Sequence, residues 1–142
     1  MPAKKRKITK ARYEALAELR YALRQFLRFS ENAAQAAGVT PQQHQAMLAI
    51  KGFPGPDLIT IGELAERLQI LHHSTVGLVN RLVAERYVQR VMDRKDRRQV
   101  RLVLTLRGET ILENLSTIHS EQLQRMAPQI TQLLKGLRGE IF

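Results

Sequence analysis

Residues 86–101 hold seven basic side chains, Arg86, Arg90, Arg94, Lys95, Arg97, Arg98 and Arg101, and two acidic ones, Asp93 and Asp96. Guanidinium and ammonium groups at this density suit one chemistry above others, the binding of phosphates or other closely spaced anions. Apolar residues at strand spacing flank the charges, over 87–92 and again over 100–104, so 93–100 (DRKDRRQV) reads as the tip of a β-hairpin. Aspartate suits a turn, but a turn does not require Arg94, Lys95, Arg97 and Arg98. The plain alternative is a solvated charged turn.

Other reactive constellations are sparse. There is no cysteine, which removes disulfides, thiolate metal sites and thiol redox chemistry. His72 and His73 are adjacent, and neighbours on a helix do not share a face, so they are poor co-ligands. His44 and His119 could join them only through the fold. No phosphate-binding glycine loop, nucleophile elbow or outstanding carboxylate pair is present, and Glu63 and Glu66 are explained as a helix cap and a solvated helix face. The expectation is therefore no enzyme, no cofactor and no metal. Aromatic residues are 5% of the chain and tryptophan is absent, which disfavours a stacking platform for single strands.

The net charge of +10 points to a polyanionic partner, nucleic acid first and anionic membrane second. No apolar run approaches the ~20 residues of a membrane span and no secretory pattern opens the chain, so a cytoplasmic location is expected. A second basic cluster, Lys4-Lys5-Arg6-Lys7, reads as a solvated arm that could also touch phosphates.

The elements that must position the hairpin follow from periodicity. Tyr13, Leu16, Leu19, Leu23, Phe26 and Leu27 recur at helical steps over 9–37, and Gly38 is a suitable stop. Thr40-Pro41-Gln42-Gln43 reads as a capping box that opens a second helix, ended by Gly52. Thr60 and Glu63 form another capping box, opening a short helix over 61–68. A fourth helix follows 69–72 and runs to about Arg86, with Val76, Val79, Leu82 and Val83 as its inward stripe. After the hairpin, Thr105 opens a fifth helix and Pro128 starts a sixth. The expected fold is mainly α with a small β-hairpin wing. It is one domain over 1–142, with the helix–turn–helix and wing over 40–104 between helical segments 9–37 and 105–142.

Residues 64–108 resemble the MarR family of winged helix–turn–helix transcription regulators. The matching features are Leu64-Ala65-Glu66, Ser74-Thr75-Val76, Asn80-Arg81-Leu82, Asp96-Arg97-Arg98, and Leu104-Thr105 with Gly108. Their order and spacing carry the resemblance, and the flanking helices match in length and position only. Three places depart from the pattern, one of them the loop from Gly52 to Asp57, which is rich in proline and glycine. Gln69 stands where glycine is frequent, and Leu71 and His72 stand where a small polar cap and a proline are common.

The resemblance implies that the fourth helix enters the major groove of DNA and that its first residues reach base edges. His73 and Ser74 are the candidates for bases, and Thr75 for base or phosphate. Gly77 would let the helix backbone approach DNA, its alternative being close packing against another helix. Asn80 and Arg81 are assigned to phosphate. Arg97 would enter a narrow minor groove, with Arg94 and Lys95 on flanking phosphates. Arg98 could do the same or pair with Asp96 or Asp93. The resemblance further implies a homodimer through the first and last helices, a palindromic operator, and a small organic or anionic effector between those helices and the winged region. Tyr21, Arg24, Phe29 and Phe53 are candidates to line that effector site. The competing function is non-specific nucleic-acid binding or chromosome packaging.

Overall fold

The computed structural model describes residues 7–139. Its elements are α1 (Lys10–Ala36), α2 (Pro41–Lys51), β1 (Ile59–Thr60), α3 (Ile61–Leu68), α4 (His72–Ala84), β2 (Val88–Met92), β3 (Val100–Leu104) and α5 (Leu106–Leu137). They group into two compact units, one of residues 31–117 and one that pairs the described residues up to 30 with those from 118 onward. The basic cluster over residues 4–6 lies outside the described residues, and Lys7 beside it is exposed.

The 31–117 unit contains the winged helix–turn–helix. Its core is formed by Ala34, Val39, Met47, Ile50, Ile59, Leu64, Leu78, Leu82, Val88, Leu102, Leu104 and Leu115. Both expected capping boxes form. The Thr40 hydroxyl accepts from Gln43 N at 3.0 Å and the Thr60 hydroxyl from Glu63 N at 3.2 Å, with each third-position side chain returning to the cap's N–H. The wing is a three-stranded antiparallel sheet in the order β1-β3-β2, not a lone hairpin. Ile59 pairs with Leu102, and the pairs Val88–Leu104 and Met92–Val100 bracket the hairpin. β1 escapes sequence reading because two residues cannot show an alternating pattern.

The turn between α3 and α4 is three residues, 69–71. Gln69 takes the left-handed conformation, φ 55° and ψ 45°, in the place where glycine would be easiest. Its amide side chain donates to Glu66 O at 2.8 Å, and Ile70 N reaches back to Ala65 O at 3.2 Å. These bonds use the carbonyls that the end of α3 leaves unpaired, and they offset the strain of a non-glycine residue there.

The other unit pairs 10–30 of α1 with 118–137 of α5. The two segments run in opposite directions. Arg12 donates to the Leu137 carbonyl at one end, and at the other His119 Nε2 lies 2.7 Å from Ser30 Oγ between the rings of Phe26 and Phe29. Ala15, Ala22 and Met126 are buried. The sixth helix expected at Pro128 does not exist, because α5 runs through this proline to Leu137. A proline in a helix costs about 3 kcal/mol. Here Met126, Ile130, Leu133 and Leu137 stay in helical phase across it and are at least half-buried, so packing holds the helix together. Among the described residues no helix is long and apolar enough to cross a membrane.

Candidate nucleic-acid interface

α4 starts without help from a side chain. Its N-cap is Leu71, and no side-chain cap bond forms, so neither His72 nor His73 takes that role. Thr75 is fully buried, and its hydroxyl donates to the Leu71 carbonyl at 2.9 Å. This corrects the expectation that Thr75 touches base or phosphate, because the side chain points into the unit and its one donor is used. The buried stripe is Thr75, Leu78, Val79 and Leu82, steps of three and four residues, while Val76 and Val83 are only half-buried. The inward face is therefore rotated from the Val76–Val79–Leu82–Val83 stripe read from sequence.

That rotation leaves a clear outer face. His73, Ser74, Asn80 and Arg81 are exposed, and Gly77 lies among them. A Cβ built on Gly77 would meet nothing within 4 Å, so this glycine is not there for close packing. Arg90 of β2 donates to the Asn80 side chain. The bond sets the wing strand against the polar face of α4, and sequence reading had placed Arg90 in the charge cluster without a role.

The end of α4 is tightly tied. Arg86 has φ 65°, and Tyr87 N bonds Leu82 O at 2.9 Å, closing the helix through a left-handed residue. The Thr105 hydroxyl donates to Arg86 O at 2.6 Å and accepts from Gly108 N at 3.0 Å. A Cβ on Gly108 would collide with the Tyr87 carbonyl, so only glycine lets α5 begin this close to the end of α4. One threonine thus fixes the last turn of α4 against the first turn of α5.

The wing has a rigid base and a free tip. Arg101 binds Asp93 Oδ2 through Nε and Nη2, each at 2.8 Å, and also donates to the Leu58 carbonyl ahead of β1. Asp93 Oδ1 accepts from Lys95 N at 2.8 Å, and Asp93 N bonds Gln99 O at 3.0 Å. The backbone bond from Lys95 and the Arg101 guanidinium hold the Asp93 carboxyl below its ordinary value, and Asp93 in turn raises Arg101. Arg98 pairs with Asp96 at 3.2 Å, the alternative role considered for it, but its side chain is almost fully exposed and the pair contributes little. Arg94, Lys95 and Arg97 are exposed, and none of the described residues forms an ion pair with them. The two aspartates are therefore spent on shaping the turn, and three cations remain for a partner. The Asp93–Arg101 pair was missed in sequence because Arg101 sits eight residues from Asp93 and reads as one more positive charge.

The residues named for an effector site belong to different units. Tyr21 and Arg24 are exposed and Phe29 is half-buried against His119, all in the helical pair. Phe53 packs on the winged core with the Arg67 guanidinium 5.4 Å over its ring. Of the histidines, His72 and His73 are exposed while His44 and His119 are buried.

Residues 37–99 match the model of the MarR family. A curated relative, an uncharacterised HTH-type transcriptional regulator of Bacillus subtilis, YsmB, is 36% identical over 73 residues. The match takes in 51% of this chain, and the chain spans about half the length of that relative. Similar solved structures include AbsC, a MarR family regulator from Streptomyces coelicolor (20% identity, 95% of each chain, TM-score 0.72). The transcriptional regulator Tm0710 from Thermotoga maritima is similar at 28% identity over 92% of this chain and 94% of that one, TM-score 0.65. MepR of S. aureus, solved as a DNA complex, is similar at 19% identity over 87% and 85%, TM-score 0.66.

Proposed function

We propose that this chain is a member of the MarR family of winged-helix transcription regulators, and that it is a homodimeric, sequence-specific regulator that binds duplex DNA. The observation that carries this reading is the Arg90–Asn80 bond. It sets the polar face of α4 beside a wing that keeps Arg94, Lys95 and Arg97 free. α4 enters the major groove with His73 and Ser74 at base edges, Gly77 close to the backbone of the DNA, and Arg81 on phosphate. Asn80 holds Arg90 in place as well as facing the DNA. Arg97 enters the minor groove beside it, and Arg94 and Lys95 neutralise phosphates. MepR, solved with DNA, shares the fold and supports the reading by analogy.

The helical pair provides the dimer contact. Tyr13, Leu16, Leu23, Leu27, Ile118, Leu123 and Leu134 are all large, apolar and exposed on it. A second copy covers such a face at no cost in new sequence, and two-fold symmetry then calls for a palindromic operator with half-sites ~34 Å apart. Repression, release by a small organic or anionic effector, and action in the cytoplasm complete the proposal.

The test is selection of bound duplexes from a random pool, then affinity for the winner and for scrambled DNA across a salt series. A palindromic winner preferred by about 1000-fold or more is the expected result. Equal affinity for both, with the same steep salt slope, would replace specific regulation with non-specific packaging.

A further inference from the structure

Four of the five helices begin alike. A threonine precedes each, and its hydroxyl accepts a bond from the backbone N–H three residues on: Arg12 to Thr9 at 3.2 Å, Gln43 to Thr40 at 3.0 Å, Glu63 to Thr60 at 3.2 Å, and Gly108 to Thr105 at 3.0 Å. α4 differs. Leu71 stands at its cap and offers no oxygen, although a capping side chain would stabilise the helix. Leu71 does not serve the core either. It is 67% exposed, and its neighbour Ile70 provides the apolar anchor of the turn, half-buried against the core. A large apolar side chain has thus displaced a cap and stands in solvent, directly before His72 and His73, which are exposed as well.

We propose that Leu71 is a specificity-determining residue that packs on the C5-methyl group of a thymine. This rests on the DNA-binding reading above, which puts the first turn of α4 at the base edges. The chemistry selects the ligand. The major-groove edges of the bases offer hydrogen-bond donors and acceptors, and the thymine methyl is the one apolar group among them. A leucine side chain gains only from that group. Opposite a cytosine it would cover the N4 amine and leave that donor without an acceptor, so it rejects cytosine as well as favouring thymine. The histidines beside it supply polar partners for adjacent edges, so the first turn reads a mixed apolar and polar pattern. Arg94 and Lys95 of the wing, by contrast, add phosphate contacts that depend little on sequence.

The experiment uses the full chain and the duplex selected above. Each thymine in turn, in both half-sites, is replaced by deoxyuridine, which removes only the methyl group. For the unaltered protein one thymine per half-site should show a loss of about fourfold, the worth of one buried methyl. Leu71→Ala should bind the thymine and deoxyuridine duplexes equally at that position and keep its sensitivity to changes elsewhere in the site. Circular dichroism of the variant should be unchanged, since the side chain is exposed. Tight, specific binding with no thymine sensitive to loss of its methyl would overturn the role of Leu71 and leave the regulator reading standing. A Leu71→Ala variant weakened equally on both duplexes, with methyl sensitivity retained, would overturn it too. Absence of any sequence preference would remove the regulator reading, and the role of Leu71 with it.

Discussion

The two compact units of this chain solve the burial problem in different ways. The 31–117 unit closes its core, with Met47, Ile59, Leu64, Leu78, Leu82 and Leu102 all fully buried or nearly so, and turns a polar, cationic face outward. The helical pair buries Ala15, Ala22 and Met126 and leaves Leu16, Leu23, Leu27, Leu123 and Leu134 in solvent. Large side chains inside and charge outside describe a module finished by folding. Large apolar side chains left outside a helical pair describe a surface that association would finish. Arg94, Lys95 and Arg97 of the wing and Leu16, Leu23 and Leu27 of α1 are all exposed, yet their chemistry suits opposite partners, a polyanion for the first set and an apolar surface for the second.

The comparison can be broken most directly in the closed core. Leu82→Ala should lower the unfolding free energy by about 2–5 kcal/mol, read from denaturant titration, because the side chain is fully buried and its cavity cannot fill. Leu23→Ala should cost the isolated chain far less and instead weaken self-association. The loss should approach about 1.5–3 kcal/mol per subunit, the value of burying one leucine, and sedimentation across a concentration series measures it. If Leu23→Ala destabilised the fold as Leu82→Ala does and left the mass unchanged, the contrast between the units would be wrong.

Smaller changes sharpen the cationic face. Arg97→Ala should weaken operator binding by about 1–3 kcal/mol and leave the unfolding curve unchanged. Gly77→Ala should do two things at once. It should stabilise α4 by about 0.8–1.0 kcal/mol, since nothing lies within 4 Å of the new Cβ, and it should reduce DNA affinity by holding the helix away from the groove. A gain in both would return Gly77 to the status of an ordinary surface residue.

The smallest effect concerns pH. The folded carboxyl of Asp93 is held below its unfolded value by Lys95 N–H and by Arg101. Its contribution to the wing is therefore complete above the unfolded value and is lost as pH falls through the lower, folded one. Protection factors for amide exchange at the wing should be flat through neutral and mildly acid pH and should fall only below the ordinary aspartate range. Asp93→Asn should remove that dependence, and an unchanged profile would detach the wing from this pair.

Much of this was legible because it is local. Capping boxes at Thr40 and Thr60, the stop at Gly38 and the charged tip over 93–98 depend on residues within a few positions, and sequence spacing reports such relations directly. The exposure of the proposed site residues His73, Ser74, Asn80, Arg81, Arg94, Lys95 and Arg97 was legible, because polar residues at helical spacing and cations at a turn mark an outer face. The burial of Thr75 was not. A threonine is equally at home on either side of a helix, and only the packing of α4 on the core decides that it points inward. Pro128 misled for the same reason, since its local preference to start a helix yields to an apolar stripe that stays in phase on both sides.

The sequence by itself determined where α1, α2, α3 and α5 begin and which residues are cationic, because propensity, charge and spacing are properties of neighbours in the chain. Tertiary structure decided the rotation of α4, the pairing of Asp93 with Arg101 and of Asn80 with Arg90, the addition of β1 to the wing, and which leucines stay outside. Those depend on groups far apart in sequence meeting at distances of about 3 Å, the range over which hydrogen bonds and packing act, and no local pattern records such meetings.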